Sequence, residues 1–415
     1  MALRKVFPIK TATACRLKWA WSTLYLNSGQ TSSCHRSSHS TIDTETFDNF
    51  HNTDLKTAAR QVMLDGGWPG HGCEYCKDIE IAGGTSDRMF QNQIPDVYPL
   101  ELDVDSQQIK VNPSILEVFF SNTCNLKCVY CEASLSSAIQ AEDAKFGGTM
   151  FKDLRFDSTN KYKDLVPKFW SWFEKNAQTL MRLQVLGGEP LLQKDFFKLL
   201  EFIDKNPQPQ LEFNIVTNLS VPFSIVERAT NQLIDLLKNK KLKRVDIQAS
   251  VDCWGPGQEY VRNGFQPDLF EQNLKFLLSK KLFRIGLLST VCSLTIFEME
   301  QLVRKHQEWS QDQEVFWYMH LVLPNDSIFS PAIFGQDDFV NALENVYNLL
   351  PDSTWDQKQT LDILSGIMKK IKATAQTNHA KQQELVEYLD LVDQRRGSKW
   401  KNVFPWLAKE PDHVV

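Results

Sequence analysis

The sequence predicts an α/β protein: a partial (β/α)6 TIM-like barrel in the middle of the chain, a small irregular cysteine-rich module before it and a helical extension after it. Three observations lead there. Short β-rich runs alternate with amphipathic segments from Ile115 to about Leu323, Cys15, Cys34, Cys73 and Cys76 crowd into a stretch poor in apolar periodicity, and helical sequence of mixed charge follows Asp337. The expected divisions are 1–110, 111–325 and 326–415.

In residues 1–110 only 53–64 has convincing helical spacing, too little to build a large core unaided. Predicted strands then follow at 115–120, 182–186, 211–217, 244–251, 284–291 and 315–321, with helices between them at 165–178, 194–205, 225–238, 269–279 and 296–309. Such alternation implies parallel strands joined by right-handed crossovers, with functional groups at the C-terminal strand ends. The polar stretch 140–162, with Gly147 and Gly148, reads as a long insertion after the first of these strands, a loop able to cover the barrel mouth. Trp400, Phe404 and Trp406 end the extension as an aromatic docking face.

Apolar residues make up 42% of the chain and charged residues 23%, which excludes wholesale disorder. The 46 basic and 51 acidic residues leave a net charge of -5, so nothing favours polyanions in general. The basic run 238–244 reads as the solvated cationic end of a helix. No stretch approaches the roughly 20 apolar residues of a membrane span. Lys10, Arg16 and Lys18 interrupt the apolar residues that an export signal would need. Nine cysteines in short clusters suggest metal ligation under reducing conditions rather than a disulfide framework. A cytoplasmic protein without a membrane partner is expected.

The first strand of the central region runs into Cys124, Cys128 and Cys131, a C-x3-C-x2-C cluster that lets three thiolates converge on one small object. A structural zinc site wants a fourth ligand, such as His320, whereas an iron–sulfur cubane held by three cysteines keeps one iron open. With Tyr130 in the aromatic position, the triplet resembles the signature of the radical S-adenosylmethionine (SAM) superfamily. The resemblance implies a 4Fe-4S cluster whose open iron chelates the amino and carboxylate groups of SAM, reductive cleavage to a 5'-deoxyadenosyl radical, and Tyr130 near the adenine.

Other positions extend the likeness. Gly187, Gly188, Glu189 and Pro190 end the second strand and resemble the family's G-G-E-P segment, which binds the SAM amino group; the glycines let backbone approach closely and Glu189 can orient the ammonium. Thr217-Asn218 resembles a T-N-G segment with Leu219 in place of glycine, and implies Asn218 near SAM. Ser250 and Asp252, followed by Arg262, resemble S-x-D-G with a following arginine; Cys253 replaces the glycine. The first two are candidate contacts to ribose and methionine groups and Arg262 to the carboxylate, with a structural Asp252–Arg262 ion pair as the alternative. Cys253 and Cys292 read as buried thiols.

Cys15, Gly29 and Cys34 form a C-x13-G-x4-C arrangement, completed by Cys73 and Cys76. It resembles the start of SPASM/Twitch auxiliary-cluster modules, here preceding the barrel, and Gly29 suits the turn of a hairpin. Four cysteines can fully ligate a second, auxiliary 4Fe-4S cluster serving electron transfer. A structural zinc site is the alternative, with His35, His39, His51 and His71 as further candidate ligands.

The expected function is hydrogen abstraction from a peptide or small-molecule substrate, with electrons from an external donor such as flavodoxin or ferredoxin. A redox-neutral reaction, RNA modification and a non-catalytic zinc scaffold are the competing classes. The acidic balance and the lack of an RNA-binding module weigh against nucleic acid.

Overall fold

The computed structural model describes residues 11–34, 36–81, 83–93, 109–150, 160–322, 327–335 and 337–408. The strands are β1 (Trp21–Tyr25), β2 (Gln30–Ser32), β3 (Ser40–Thr41), β4 (Ile115–Phe119), β5 (Lys127–Cys128), β6 (Arg182–Leu186), β7 (Gln208–Thr217), β8 (Leu242–Ser250), β9 (Arg262–Asn263), β10 (Arg284–Val291) and β11 (Val315–Leu321). The helices are α1 (Arg16–Ala20), α2 (Asp54–Leu64), α3 (Glu74–Ile81), α4 (Asp87–Gln93), α5 (Ser137–Phe146), α6 (Tyr162–Asn176), α7 (Lys194–Lys205), α8 (Phe223–Lys238), α9 (Pro256–Val261), α10 (Pro267–Ser279), α11 (Met299–Trp309), α12 (Asp338–Leu349), α13 (Trp355–Thr374), α14 (His379–Arg396) and α15 (Trp400–Val403). No helix among the described residues is long and apolar enough to cross a membrane. The chain forms two compact units.

The first unit comprises Met1–Asn122, Arg155–Ile215 and Asn231–Val245. Here β4, β6 and β7 run parallel, with Val118 opposite Val185 and Val185 opposite Ile215. On α7 the residues Phe196, Leu199, Leu200 and Ile203 recur at helical spacing and are buried, each worth about 1.5–3 kcal/mol of apolar transfer. On α6 Phe169 and Phe173 stack at 5.3 Å, and Phe169 meets Phe120, just beyond β4, edge-on at 4.9 Å.

The N-terminal segment is more regular than its sequence suggests. β1 joins β4 in parallel, with Leu24 opposite Val118, and pairs antiparallel with β2. Gly29, at φ +70, makes the turn, and its N–H donates to the Tyr25 carbonyl at 2.8 Å. Strands this short lack the periodicity that reveals longer ones. The basic run is also not simply solvated: Lys243 and Arg244 each lie 3.0 Å from Glu212, and Lys241 pairs with Asp204 at 2.7 Å.

The second unit comprises Thr123–Leu154, Val216–Thr230 and Asp246–Val415. The end of β8, β10 and β11 run parallel, with Ile247 opposite Ile285 and Ile285 opposite Val315. The polar stretch read as a loop begins as helix instead. Ser136 caps α5 by accepting from the Ile139 N–H at 3.3 Å, and left-handed Gly147 ends it; residues 151–159 of that stretch lie outside the described residues. α13 opens with a capping box between Thr354 and Gln357. The terminal aromatics face inward: Trp400 and Phe404 are buried, and the Trp406 ring lies 5.4 Å from those of Phe297, Phe334 and Phe339.

Candidate functional site

Cys124, Cys128 and Cys131 lie in the second unit, all half-buried. Cys124 is bracketed by Ser137, whose Oγ accepts from the Cys124 N–H at 3.1 Å and donates to its carbonyl at 3.2 Å. The Leu126 N–H points at Cys124 Sγ at 3.4 Å, an orientation that favours a thiolate. Cys128 sits in the two-residue ribbon of β5 and β9, opposite Arg262, and the adjoining Val129 N–H donates to the Val261 carbonyl at 2.8 Å. Burial pushes the Cys128 and Cys131 thiols up; Arg262 opposes this at Cys128, while Cys128 and Cys124 add to it at Cys131. The three thiols sense one another, although among the described residues no three His, Cys, Asp or Glu side chains already stand as a metal-binding group.

Asp252 organises the neighbouring side chains. Its fully buried carboxylate accepts two hydrogen bonds from Arg262, at 2.8 and 2.9 Å, one from the Thr290 N–H at 2.8 Å, and one from the Tyr130 hydroxyl. The expected ion pair is thus present, and bidentate. The Arg262 guanidinium also stands 5.7 Å from the centre of the Tyr130 ring. Tyr130, Asp252 and Arg262, distant in sequence, therefore form one cluster with Cys128. Ser250 is buried at the end of β8.

Asn218 belongs to a second hydrogen-bonded group. Its Nδ2 donates to Asn125 Oδ1 at 2.9 Å, and its Oδ1 accepts from the Ser220 N–H at 2.8 Å. Asn125, inside the cysteine triplet, donates to the Ser220 carbonyl at 2.7 Å. Leu219 takes φ +49, the left-handed region that a glycine in the resembled motif would favour.

Gly187, Gly188, Glu189 and Pro190 lie in the first unit, directly after β6. Both glycines have positive φ, +81 and +53. Buried Glu189 caps the turn Pro190–Leu192, accepting from the Leu191 N–H at 3.1 Å. Sequence reasoning missed Gln193, whose Nε2 donates to the Gly187 carbonyl at 2.5 Å and whose amide exchanges hydrogen bonds with the backbone of Ser121 at 3.2 and 3.3 Å. The only signal for it was its place three residues after Pro190. Gln193 ties the chain entering the cysteine loop to the Gly-Gly turn.

Cys15, Cys34, Cys73 and Cys76 also lie in the first unit. Cys15 and Cys73 belong to an apolar cluster with Leu17, Trp19 and Met63, against which Cys34 packs. Burial and then the Cys34 charge push Cys15 up to about 12, and burial pushes Cys76 up to about 11. Three buried cations stand in the same unit. Burial pulls the Lys18 ammonium down, but Cys34, Cys73 and Cys15 outweigh it and the net shift is upward. Lys56 Nζ donates to Ser22, Thr31 and the Phe50 carbonyl at 2.7–2.8 Å; burial and then Arg60 hold its pKa well below the usual lysine value. Arg60 donates to the carbonyls of Lys18 and Ile109 at 2.6 and 2.7 Å, and burial lowers it to about 9. Among the described residues no ion pair joins any of the three to a carboxylate.

Of the histidines named as alternative ligands, His51, His39 and His320 have other contacts, and the His71 carbonyl accepts from the Ser38 N–H at 2.9 Å. His51 is bonded to Ser22 Oγ at 2.8 Å and the Trp19 carbonyl at 2.9 Å, the His39 ring packs 5.1 Å from Tyr25, and His35 lies outside the described residues. His320, in the second unit, contacts Thr290 Oγ1 at 3.1 Å. Cys253 and Cys292 are fully buried.

Residues 118–250, which include the cysteine triplet, match the Radical SAM superfamily. No curated protein matches the chain. Solved structures similar to it include SuiB of Streptococcus suis, at 14% identity over 65% of this chain and 55% of that one with a TM-score of 0.36. The same protein bound to S-adenosylmethionine aligns at 16% identity over 66% and 58%, with a TM-score of 0.34. This chain thus spans a little over half the length of that protein.

Proposed function

We propose that the protein is a radical SAM enzyme that generates a 5'-deoxyadenosyl radical and abstracts hydrogen from a peptide or small-molecule substrate. The observation that carries this reading is the family match over 118–250, which contains Cys124, Cys128 and Cys131 at the signature spacing. The donor set suits the cofactor: three thiols on one loop, one already facing a backbone N–H, supply three ligands and leave one iron of a 4Fe-4S cluster for SAM. Such a cluster supplies the electron that cleaves SAM. The thiols pushed up by burial would lose their protons on metal binding.

The chain's own residues then bind and orient. In the second unit Asn218 and Ser250 contribute polar contacts to SAM and Tyr130 flanks the adenine; the resemblance separately implies that Gly187, Gly188 and Glu189 bind a SAM amino group. Asp252 fixes the Tyr130 hydroxyl and the Arg262 guanidinium.

Cys15, Cys34, Cys73 and Cys76 are read as the ligands of an auxiliary 4Fe-4S cluster that exchanges electrons with the site. Buried Lys18 supports this, because Cys34, Cys73 and Cys15 act on its ammonium and outweigh its burial, and four thiolates around iron carry net negative charge. The electron source is an external flavodoxin- or ferredoxin-like donor.

One experiment tests both assignments: iron content and 5'-deoxyadenosine production of anaerobically prepared wild type, Cys128→Ala, and Cys73→Ala/Cys76→Ala. Wild type should hold about two clusters. Cys128→Ala should lose one together with SAM cleavage, and the double variant should lose the other while still cleaving SAM. Normal 5'-deoxyadenosine production by Cys128→Ala would overturn the enzyme assignment, and zinc in the wild-type N-terminal site would overturn the auxiliary cluster.

A further inference from the structure

We propose that helix α14 is the positioning element of the cysteine loop, with Tyr388 and Arg396 orienting the Cys128 thiolate by holding the carbonyls on either side of it. This rests on the reading of Cys124, Cys128 and Cys131 as cluster ligands. The Tyr388 hydroxyl donates to the Val129 carbonyl at 2.5 Å, and Arg396 Nη1 donates to the Lys127 carbonyl at 2.8 Å. Cys128 lies between these two residues, so both of its peptide neighbours are tied from α14 while its own backbone pairs with Arg262.

The two donors are themselves fixed. Tyr388 is buried, and its ring meets Phe329 edge-on at 5.5 Å. The Arg396 side chain is 2% exposed; its Nη2 lies 3.0 Å from Glu142 Oε2, its Nε reaches the same carboxylate at 3.2 Å, and Glu142 also binds the Lys127 ammonium at 2.8 Å. The helix is anchored at its C-terminal end, where Asp393 accepts from the Tyr260 hydroxyl at 2.9 Å, from Ser398 Oγ at 2.7 Å and from the Trp400 N–H at 2.7 Å. Two hydrogen-bonded side chains with little rotational freedom therefore act on one three-residue segment. Groups that orient metal ligands in this way typically change metal affinity about 10- to 100-fold when removed.

The test compares wild type with Tyr388→Phe, which removes only the hydroxyl, and Arg396→Lys, which keeps the charge but not the fork geometry. Gln383→Ala, at an exposed position on the same helix, is the control. The readouts are the rate of iron release to a chelator from the cluster that Cys128→Ala abolishes, and the electron paramagnetic resonance spectrum of that reduced cluster with and without SAM. Tyr388→Phe and Arg396→Lys should each release iron about 10-fold faster and show altered g-values, with Gln383→Ala matching wild type. Folded Tyr388→Phe protein with wild-type release and spectrum overturns the proposal, even if Arg396→Lys does not fold. Loss of no iron in Cys128→Ala would instead overturn the enzyme reading and this inference with it.

Discussion

Gly187 is the residue where steric demand is sharpest. A Cβ there would lie 2.6 Å from Phe119 Cδ1 on a backbone already at φ +81. Left-handed strain of about 1–2 kcal/mol and overpacking of about 1–3 kcal/mol should together make Gly187→Ala about 2–5 kcal/mol less stable in equilibrium denaturation; an unshifted midpoint would show that Phe119 moves aside freely. The need for small residues here was legible in the sequence, because two adjacent glycines directly after a strand mark a backbone that must bend where side chains do not fit. Leu219 was legible only as a departure from the motif. Its positive φ shows that the backbone bend is kept without glycine, at a cost that burial of the leucine side chain offsets. Gln193 carried no signal beyond its place after Pro190, and Arg396 none, since hydrogen bonds to distant carbonyls leave no periodicity behind.

Among the elements, α6 carries a built-in weakness. Pro167 lies inside the helix, exposed, where it removes one backbone hydrogen bond and crowds the preceding turn. Pro167→Ala should raise stability by about 1–3 kcal/mol, read as a higher unfolding midpoint with unchanged helix content; a lower midpoint would mean that the proline fits its turn and stiffens the unfolded chain more than it strains the folded one. The predicted strands at 182–186, 284–291 and 315–321 have the bounds found in the structure, and α7 does too. These are long or strongly patterned segments. β1 to β3 were missed because strands of five, three and two residues offer too few alternations, and their pairing is set by neighbours far away in sequence. The start of α5 was missed because its cap, Ser136, lies before the polar stretch taken to be a loop.

Over the whole molecule, buried histidines tie stability to pH. His306 Nε2 donates to the Val315 carbonyl at 2.6 Å while Nδ1 has no partner, and burial holds its pKa below 6.5; His51 shifts the same way, from burial and then Arg60. The unfolded chain therefore binds protons that the folded chain refuses. Their contribution is complete above about pH 6.5 and is lost as pH falls, by up to about 1.4 kcal/mol per pH unit for each histidine. Between about pH 7.5 and 5.5, His306→Gln should lose about 1 kcal/mol less stability than wild type; equal losses would mean that His306 is charged in the folded protein. The grip of α14 on the cysteine loop has a consequence for biosynthesis. Lys127 and Arg396 are 269 positions apart, so a ribosome adding about 5–20 residues per second needs roughly 15–50 s after the cysteines are made to supply the residue that holds them. A chain stalled before Arg396 therefore offers its thiols on a loop that Arg396 does not yet hold.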